Sequence, residues 1–439
     1  MIRRDFFKKT AILSLGSIAL PHLSFANGAS KDKVKVALIG CGARGTGALI
    51  NMSQSGYDIE LVAMADMFQD QMDAAYTKLQ TTLAKAKKEH FFNVKKEQCF
   101  VGINAYKELL TCDFDVVIDA SPPAFRTIHA KAIVEAGKHA FLEKPACVDI
   151  NQAREMYEIS KLATQKGLCI GVGTQRRHHS NYIEAIKRVQ DGQIGDIVSM
   201  QCYWNATNYV GAGQTAKYSK ESYNLAYDDI DYQIRCWPAF IWTSGDHIVE
   251  QHVHNIDVCL WAFGSMPLEV NGMGSRSSAL TFPKQGDRYT NFAVDYTMAN
   301  GVHLASYCRQ DPKSSALIME RVKGTKGTLE TALDKITITG ENEWQSKSPA
   351  NQCLVQEHTD LLKAITSGNK NYNKIDKLVD STVAAILGRM SAYSGRKFGY
   401  EAAKMSLEES LVPDLTKAKN PIKNIPCPSN YTLKQRKRS

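Results

Sequence analysis

The side chains able to do acid–base chemistry gather in two stretches of this 439-residue chain. In the first, Glu143-Lys144-Pro145 follows the apolar run 139–142. That places Lys144 at the C-terminal end of a predicted parallel strand, where open α/β sheets hold their ligands. Partial burial beside another positive charge favours the neutral amine, which suits Lys144 to general acid–base work near neutral pH. A surface lysine ahead of a proline turn fits the same position, and position alone does not separate the two. The second stretch, 245–257, reads as one helix. Val249, Val253, Ile256, Leu260 and Phe263 form its apolar stripe at helical spacing. His247, Glu250, His254, Asp257 and Trp261 form a polar stripe one residue further round, flanking the buried face. His254 is suited to accept a hydroxyl proton, and Glu250, one turn earlier, to orient or polarise it. A purely structural role for these histidines is the plainer reading, although four polar residues at one spacing exceed what packing needs.

Metal binding has to be weighed here. His252 and His254 are two residues apart, so on a helix they point in nearly opposite directions and do not chelate together. His247, Glu250 and His254 share a face and offer zinc-type donors, but their spacing is not that of H-E-x-x-H. No metal is assigned.

Proton removal from a hydroxyl becomes oxidation only with a partner that takes hydride from the carbon, and residues 34–45, V-K-V-A-L-I-G-C-G-A-R-G, point to one. A buried strand runs into a G-x-G-x-x-G turn and then a helix, which lets the backbone approach a pyrophosphate at the positive helix terminus. Gly40 makes the tight turn, Gly42 leaves room for phosphates, and Gly45 lets helix and strand pack; Ala43 and Arg44 lie between them. A second apolar run, 59–65, ends in Asp66, about twenty residues beyond the last glycine, where a ribose-binding acid is expected. A strand-turn with no nucleotide shares the glycines but does not require that acid. Met67 and Phe68 follow Asp66, so no adjoining arginine welcomes a 2′-phosphate, and NAD is favoured over NADP.

These elements set the domain plan. Over 33–173 strands alternate with helical patterns, the grammar of a doubly wound parallel sheet. Strand 116–120 ends at Ser121-Pro122-Pro123, and 78–96 reads as a solvated lysine-rich excursion. Over 174–415 strands at 197–204, 268–274, 292–296, 302–308, 317–322, 328–333 and 336–339 predict a largely antiparallel sheet, with a hairpin turn at Ala299-Asn300-Gly301. Residues 379–393 return to helix. The expected class is therefore α/β, an N-terminal Rossmann sheet followed by an α/β domain with a large open sheet.

Residues 1–26 read as a targeting segment. Arg3 and Arg4 precede Phe6 and Phe7, an apolar run follows, and Ser24-Phe25-Ala26 offers small residues for cleavage. The paired arginines resemble a twin-arginine signal, with an ordinary secretory signal as the alternative; either implies export to the periplasm. The segment is too short for a stable membrane span. The eleven cysteines are odd in number, scattered, and form no C-x-x-C, so they read as small core residues. Of the formal charge of +9, a net +3 lies in the signal and four positive charges lie at 434–438, within the basic tail 416–439. The body is left at about +2, with no basic surface suited to nucleic acid.

Together the Gly40 loop, Glu143-Lys144-Pro145 and the Glu250–His254 helix resemble the glucose–fructose oxidoreductase, inositol dehydrogenase and MocA-like family (Gfo/Idh/MocA). The likeness runs from the loop through Gly324-Thr325-Lys326-Gly327-Thr328 to the closing helix. The resemblance implies oxidation of a secondary hydroxyl of a sugar or cyclitol with NAD(P), and homo-oligomers formed through the C-terminal sheet. It implies that Lys144 contacts substrate and nicotinamide, that His254 is catalytic, and that Asp257 is the acid near the same helix. Glu250 falls where many members have aspartate. Ser121, Pro122, Glu143, Gln175 and Arg176 are implied cofactor contacts, with Gln175 and Arg176 also placed for substrate. The stretch 205–242 is longer and more aromatic than the family needs. Tyr209, Tyr223, Tyr227, Tyr232, Trp237 and Trp242, with Asp228, Asp229 and Asp231, suit sugar recognition or, equally, an ordinary interface loop.

Three activities follow. The first is an NAD-dependent dehydrogenase with His254 or Lys144 as base. The second is a glycoside-cleaving enzyme that oxidises, eliminates and re-reduces on retained NAD, as in the family 109 glycosidases. This chain keeps Glu143-Lys144-Pro145 and lacks their Tyr-Pro-Thr-His segment. The third is a sugar-binding protein without catalysis, against which Lys144 and His254 argue together. An exported enzyme has no cofactor pool to draw on, so the NAD is expected to be tightly held.

Overall fold

The computed structural model describes residues 33–436 apart from 211, 219, 333, 334 and 348. The signal expected over 1–26 lies outside the described residues. Continuous apolar runs form the first sheet: β1 (Val34–Ile39), β2 (Ile59–Asp66), β3 (Cys99–Val101), β4 (Val116–Asp119), β5 (His139–Leu142) and β6 (Ile170–Val172). All pair in parallel, in the order β3-β2-β1-β4-β5-β6. Strands covered on both faces must be apolar throughout, and β4 is buried at every position. The order reverses between β1 and β4, which opens the crevice where dinucleotides bind in such sheets.

Alternating strands form the second sheet: β7 (Ile197–Ala206), β8 (Glu269–Ser275), β9 (Asn291–Thr297), β10 (His303–Gln310), β11 (Leu317–Gly324), β12 (Gly327–Ala332), β13 (Lys335–Gly340), β14 (Trp344–Gln345) and β15 (Phe398–Gly399). Their order is β14-β13-β12-β11-β7-β10-β9-β8-β15, antiparallel except for the parallel pair β7 and β10. Along β9, Phe292, Val294 and Tyr296 face the core and the residues between them do not. Asn300 (φ 59°) and Gly301 (φ 73°) turn β9 into β10, as the sequence predicts. The helix Ile375–Ser394 is buried along nearly its whole length under this sheet. It comes close because Gly388 has no side chain: a Cβ there would sit 2.6 Å from the Tyr296 hydroxyl.

One expectation is corrected. The stretch 245–257 is not one helix but two, His247–Glu250 and Val253–Phe263, broken at Gln251 and His252. The break turns buried polar groups toward partners on the sheet. His252 Nε2 lies 2.7 Å from Ser306 Oγ, and Asn255 Nδ2 donates to the Tyr203 carbonyl at 3.0 Å. Buried polar atoms left unpaired cost more than a lost turn of helix. The basic tail is not free in solvent as far as it is described. The Ile230 amide donates to the Ala418 carbonyl, Tyr289 Oη donates to the Pro426 carbonyl, and Lys434–Gln435 pairs with Leu407–Glu408. Apolar residues between the charges, Ile422, Ile425 and Tyr431 among them, give the tail something to bury.

Candidate active site

The glycine turn is built as a cradle. Gly40 has φ +86°, and a Cβ on it would lie 2.6 Å from the Ser121 amide nitrogen. A Cβ on Gly45 would fall 1.9 Å from the Gly40 carbonyl oxygen, so the helix Ala43–Ser53 packs on β1 only as glycine. Gly42 is the opposite case: a Cβ there meets nothing within 4 Å, because this residue faces a cavity. No side chain caps the helix, so the amides of its first turn stay available to an anion. The cavity, about 640 Å³, is lined by Gly40, Gly42, Ala43, Arg44, Asp66, Ser121 and Pro122, all expected to meet the cofactor. Asp66 accepts the Cys41 amide at 2.7 Å and the Phe68 amide at 2.9 Å, which fixes its carboxylate at the rim. These residues fit a dinucleotide: a backbone anion site at one end and a ribose acid at the other.

The remaining expected contacts lie deeper. Glu143 is buried and bound to Arg44, whose guanidinium also reaches Glu357 at 2.9 Å. Gln175 begins the turn Gln175–His178 and does not line the cavity. Arg176 is paired with Glu320 and lies over the Trp204 ring, 5.9 Å from its centroid. Trp204 in turn stacks on His254, with ring centroids 6.0 Å apart. Arg176 therefore belongs with His254 rather than with the glycine cradle.

Lys144, Glu250 and His254 come together in the interior. Lys144 Nζ donates to the Glu250 carbonyl and stands 4.0 Å from Glu250 Oε2. Burial lowers the Lys144 amine, against the nearby carboxylates of Glu250 and Glu143. Burial likewise raises Glu250, to about 7, against the pull of Lys144. Neither Glu250 oxygen has a hydrogen-bond partner. Glu250 therefore does not polarise His254 as the helical stripe implies; the broken helix aims it at Lys144. His254 is driven well below the usual histidine range by burial and then by the charges of Lys144, Arg176 and Arg44, which keeps it neutral. Asp257 is spoken for. It accepts two hydrogen bonds from Arg177 at 2.8 Å each and a third from Ser381, which tie its carboxylate to these partners. His247 points elsewhere, packing on Phe292 at 5.2 Å with neither ring nitrogen bonded, so the shared face of His247, Glu250 and His254 is lost. Among the described residues no cluster of three His, Cys, Asp or Glu is arranged to hold a metal ion.

Residues 34–188 match the family model for Gfo/Idh/MocA, an oxidoreductase family with an NAD-binding Rossmann fold. This segment is similar to the Rossmann domain of that family. Beyond it, the chain is similar in fold to a levoglucosan dehydrogenase complexed with NADH and levoglucosan. That likeness has a TM-score of 0.66 and 16% identity, covering 84% of this chain and 99% of that one. The scyllo-inositol 2-dehydrogenase (NADP(+)) IolW of Bacillus subtilis is 25% identical over 184 residues, 42% of this chain and 43% of its own length. The glycosyl hydrolase family 109 protein 2 of Shewanella sp. (strain ANA-3) is 27% identical over 176 residues, 38% of this chain and 34% of its own. The chain spans less than half the length of such curated relatives.

Several site residues carry no sequence signal. Arg126, in the helix Pro123–Glu135 of the Rossmann domain, is buried. It donates to the carbonyls of Pro145 (2.9 Å), Asp119 (2.8 Å) and Ser121 (2.8 Å). One side chain thus ties the Ser121-Pro122 loop to the Lys144-Pro145 loop. Burial pushes the Asp119 carboxyl up, but His129 and Arg126 overcome it and hold Asp119 at about 2. Glu357 and Glu320 are equally silent, because their arginine partners lie 313 and 144 residues away. The aromatic stretch 205–242 is also corrected. Tyr232 and Trp242 are buried with Phe240 and Ile230 in a small core, and Tyr232 Oη donates to the Lys284 carbonyl. Asp228 pairs with Lys419. Those groups pack the segment itself, and Trp237 faces the nucleotide cavity.

Proposed function

We propose that this protein is an NAD-dependent oxidoreductase that oxidises a secondary hydroxyl of a sugar, glycoside or cyclitol. One observation carries the reading: a dinucleotide cradle and Lys144 stand at strand ends of one sheet, β1 and β5 with β4 between them, and two helices bring Glu250 and His254 to Lys144. The bound dinucleotide supplies the hydride acceptor. Lys144 and Glu250 share their proton inventory as a buried pair and titrate as a unit. In its proton-poor form the pair takes the hydroxyl proton at Lys144 Nζ, and Glu250, near 7, balances the charge. His254, held neutral, donates its ring N–H to the hydroxyl oxygen and orients it. Trp204 and Arg176 wall this group, and Asp257 fixes Arg177 beside it.

The likeness to a glycosyl hydrolase family 109 protein supports a second reading, in which oxidation is transient and the glycoside is cleaved. Glycosides supplied with and without added NAD separate the two. Stoichiometric NADH with an intact keto-product supports the dehydrogenase; aglycone release without net NADH supports cleavage and sinks the first reading. Export through the twin-arginine route accords with Arg3 and Arg4 and with a cofactor bound before transport. Met273, Tyr203, Tyr307 and Leu317, partly or largely exposed on the outer face of the second sheet, accord with pairing to another copy. Gel filtration with light scattering checks that assembly.

A further inference from the structure

The segment that follows β7 does more than pack on itself. Tyr218, Arg235 and Trp237 line the nucleotide cavity opposite Asp66, Phe68 and Gln71. Two links fasten this wall to the Rossmann domain. Arg235 makes a two-pronged ion pair with Asp70, 3.0 Å on each arm, and its guanidinium lies 3.7 Å from the centroid of the Phe68 ring. Gln71 Nε2 donates to Tyr218 Oη at 2.8 Å, and Lys217 donates to the same oxygen at 3.0 Å. Behind the wall the C-terminal tail braces it. The Asn420 amide donates to the Asp228 carbonyl at 2.7 Å, and Gln233, fully buried, donates to the Asn420 carbonyl at 2.8 Å. Gln233 also accepts from Trp242 Nε1 at 2.7 Å, so the brace and the segment's small core are one unit.

We propose that this tail-braced segment is a clasp over the ribose-acid end of the cofactor, and that the Arg235–Asp70 and Tyr218–Gln71 links set how slowly the dinucleotide leaves. The inference rests on the NAD reading of the cradle. A planar, two-pronged guanidinium pair stacked on an aromatic ring is the kind of link that holds one geometry. It stands beside Asp66, where the adenosine ribose belongs. Departure of the ribose through this face requires the wall to part from Asp70 and Gln71. Asp70 does not line the cavity, so changing it opens the clasp without removing a cofactor contact.

The test loads the mature protein with NADH, dilutes it into an NADH-consuming scavenger and follows loss of bound-NADH fluorescence. Asp70→Asn is expected to speed release at least about tenfold and Tyr218→Phe by a smaller factor, with association also faster because the closed wall obstructs entry. Melting curves report whether each variant keeps the fold; Tyr218→Phe removes only a hydroxyl and serves if Asp70→Asn does not fold. Release unchanged in a folded variant overturns the clasp while leaving the NAD reading intact. Wild-type protein that binds no NADH overturns the NAD reading, and the clasp with it.

Discussion

The cradle and Lys144 stand at strand ends of one sheet, but the cradle and the proton-handling group are made in opposite ways. The cradle is backbone: three glycines, free amides and one acid, drawn from β1, the turn after it and the end of β2. The proton group is side chains: Lys144 after β5, Glu250 and His254 from two short helices, Trp204 from β7 and Arg176 from a turn after β6. Glycine shapes the first by steric absence, which leaves little electrostatic tuning. Desolvation shapes the second, pushing Lys144 and His254 down and Glu250 up until groups with different ordinary values approach one range. Binding and chemistry are therefore separable by mutation, each region failing in its own way.

The sharpest break in the proton group is Lys144→Ala or His254→Ala. Each is expected to lower kcat by about 10²- to 10⁴-fold while the Kd for NAD stays nearly unchanged. Steady-state kinetics with NADH fluorescence titration checks both halves. Full activity in both variants would mean that the group has been misplaced. Gly42→Val should do the reverse. Its side chain has room in the protein but enters the cavity, so a normal melting temperature should accompany a loss of NAD affinity of about 100-fold or more. Arg126→Met tests the tie between the two regions. Three buried carbonyls lose their donor, and a loss of about 3 kcal/mol in urea unfolding is expected, with a lower kcat in the folded fraction.

Two smaller effects refine the contrast. Glu250→Gln removes the carboxylate that favours the Lys144 ammonium. The Lys144 pKa then falls, so the proton-poor form persists to lower pH and the acid limb of the kcat profile moves down by about one pH unit. A limb that stays in place would detach Glu250 from Lys144. Asp66→Ala should relax the preference for NAD over NADP by about tenfold, read from the ratio of kcat/KM values.

Legibility in the sequence follows the same division. The G-x-G-x-x-G turn and Asp66 are readable because the contacts they need lie within a few residues or one strand of one another. Lys144 is readable as a strand-end lysine, yet position alone leaves it free to be a surface residue; Glu250, Glu143 and Arg126 are what make it interior. The polar stripe His247–Glu250–His254–Asp257 misleads because helical spacing assumes an unbroken helix. His252 and Asn255 break it to reach partners on β7 and β10. The aromatic stretch misleads for a related reason. Tyr and Trp suit a sugar surface and a small core equally well, and burial alone chooses between them.

By itself the sequence determined the two kinds of sheet, because strand burial on two faces or one writes itself as continuous or alternating apolar residues. It also determined the nucleotide cradle, because glycine is the residue a tight turn and a close helix approach require. Only the tertiary structure decided which acid serves which base, that Asp257 holds Arg177, and that Arg235 and the tail close over the cavity. Those pairings join residues up to 313 positions apart, as Arg44 and Glu357 do beside the cradle. Desolvation and reach, which set their energies, exist only once the chain has folded.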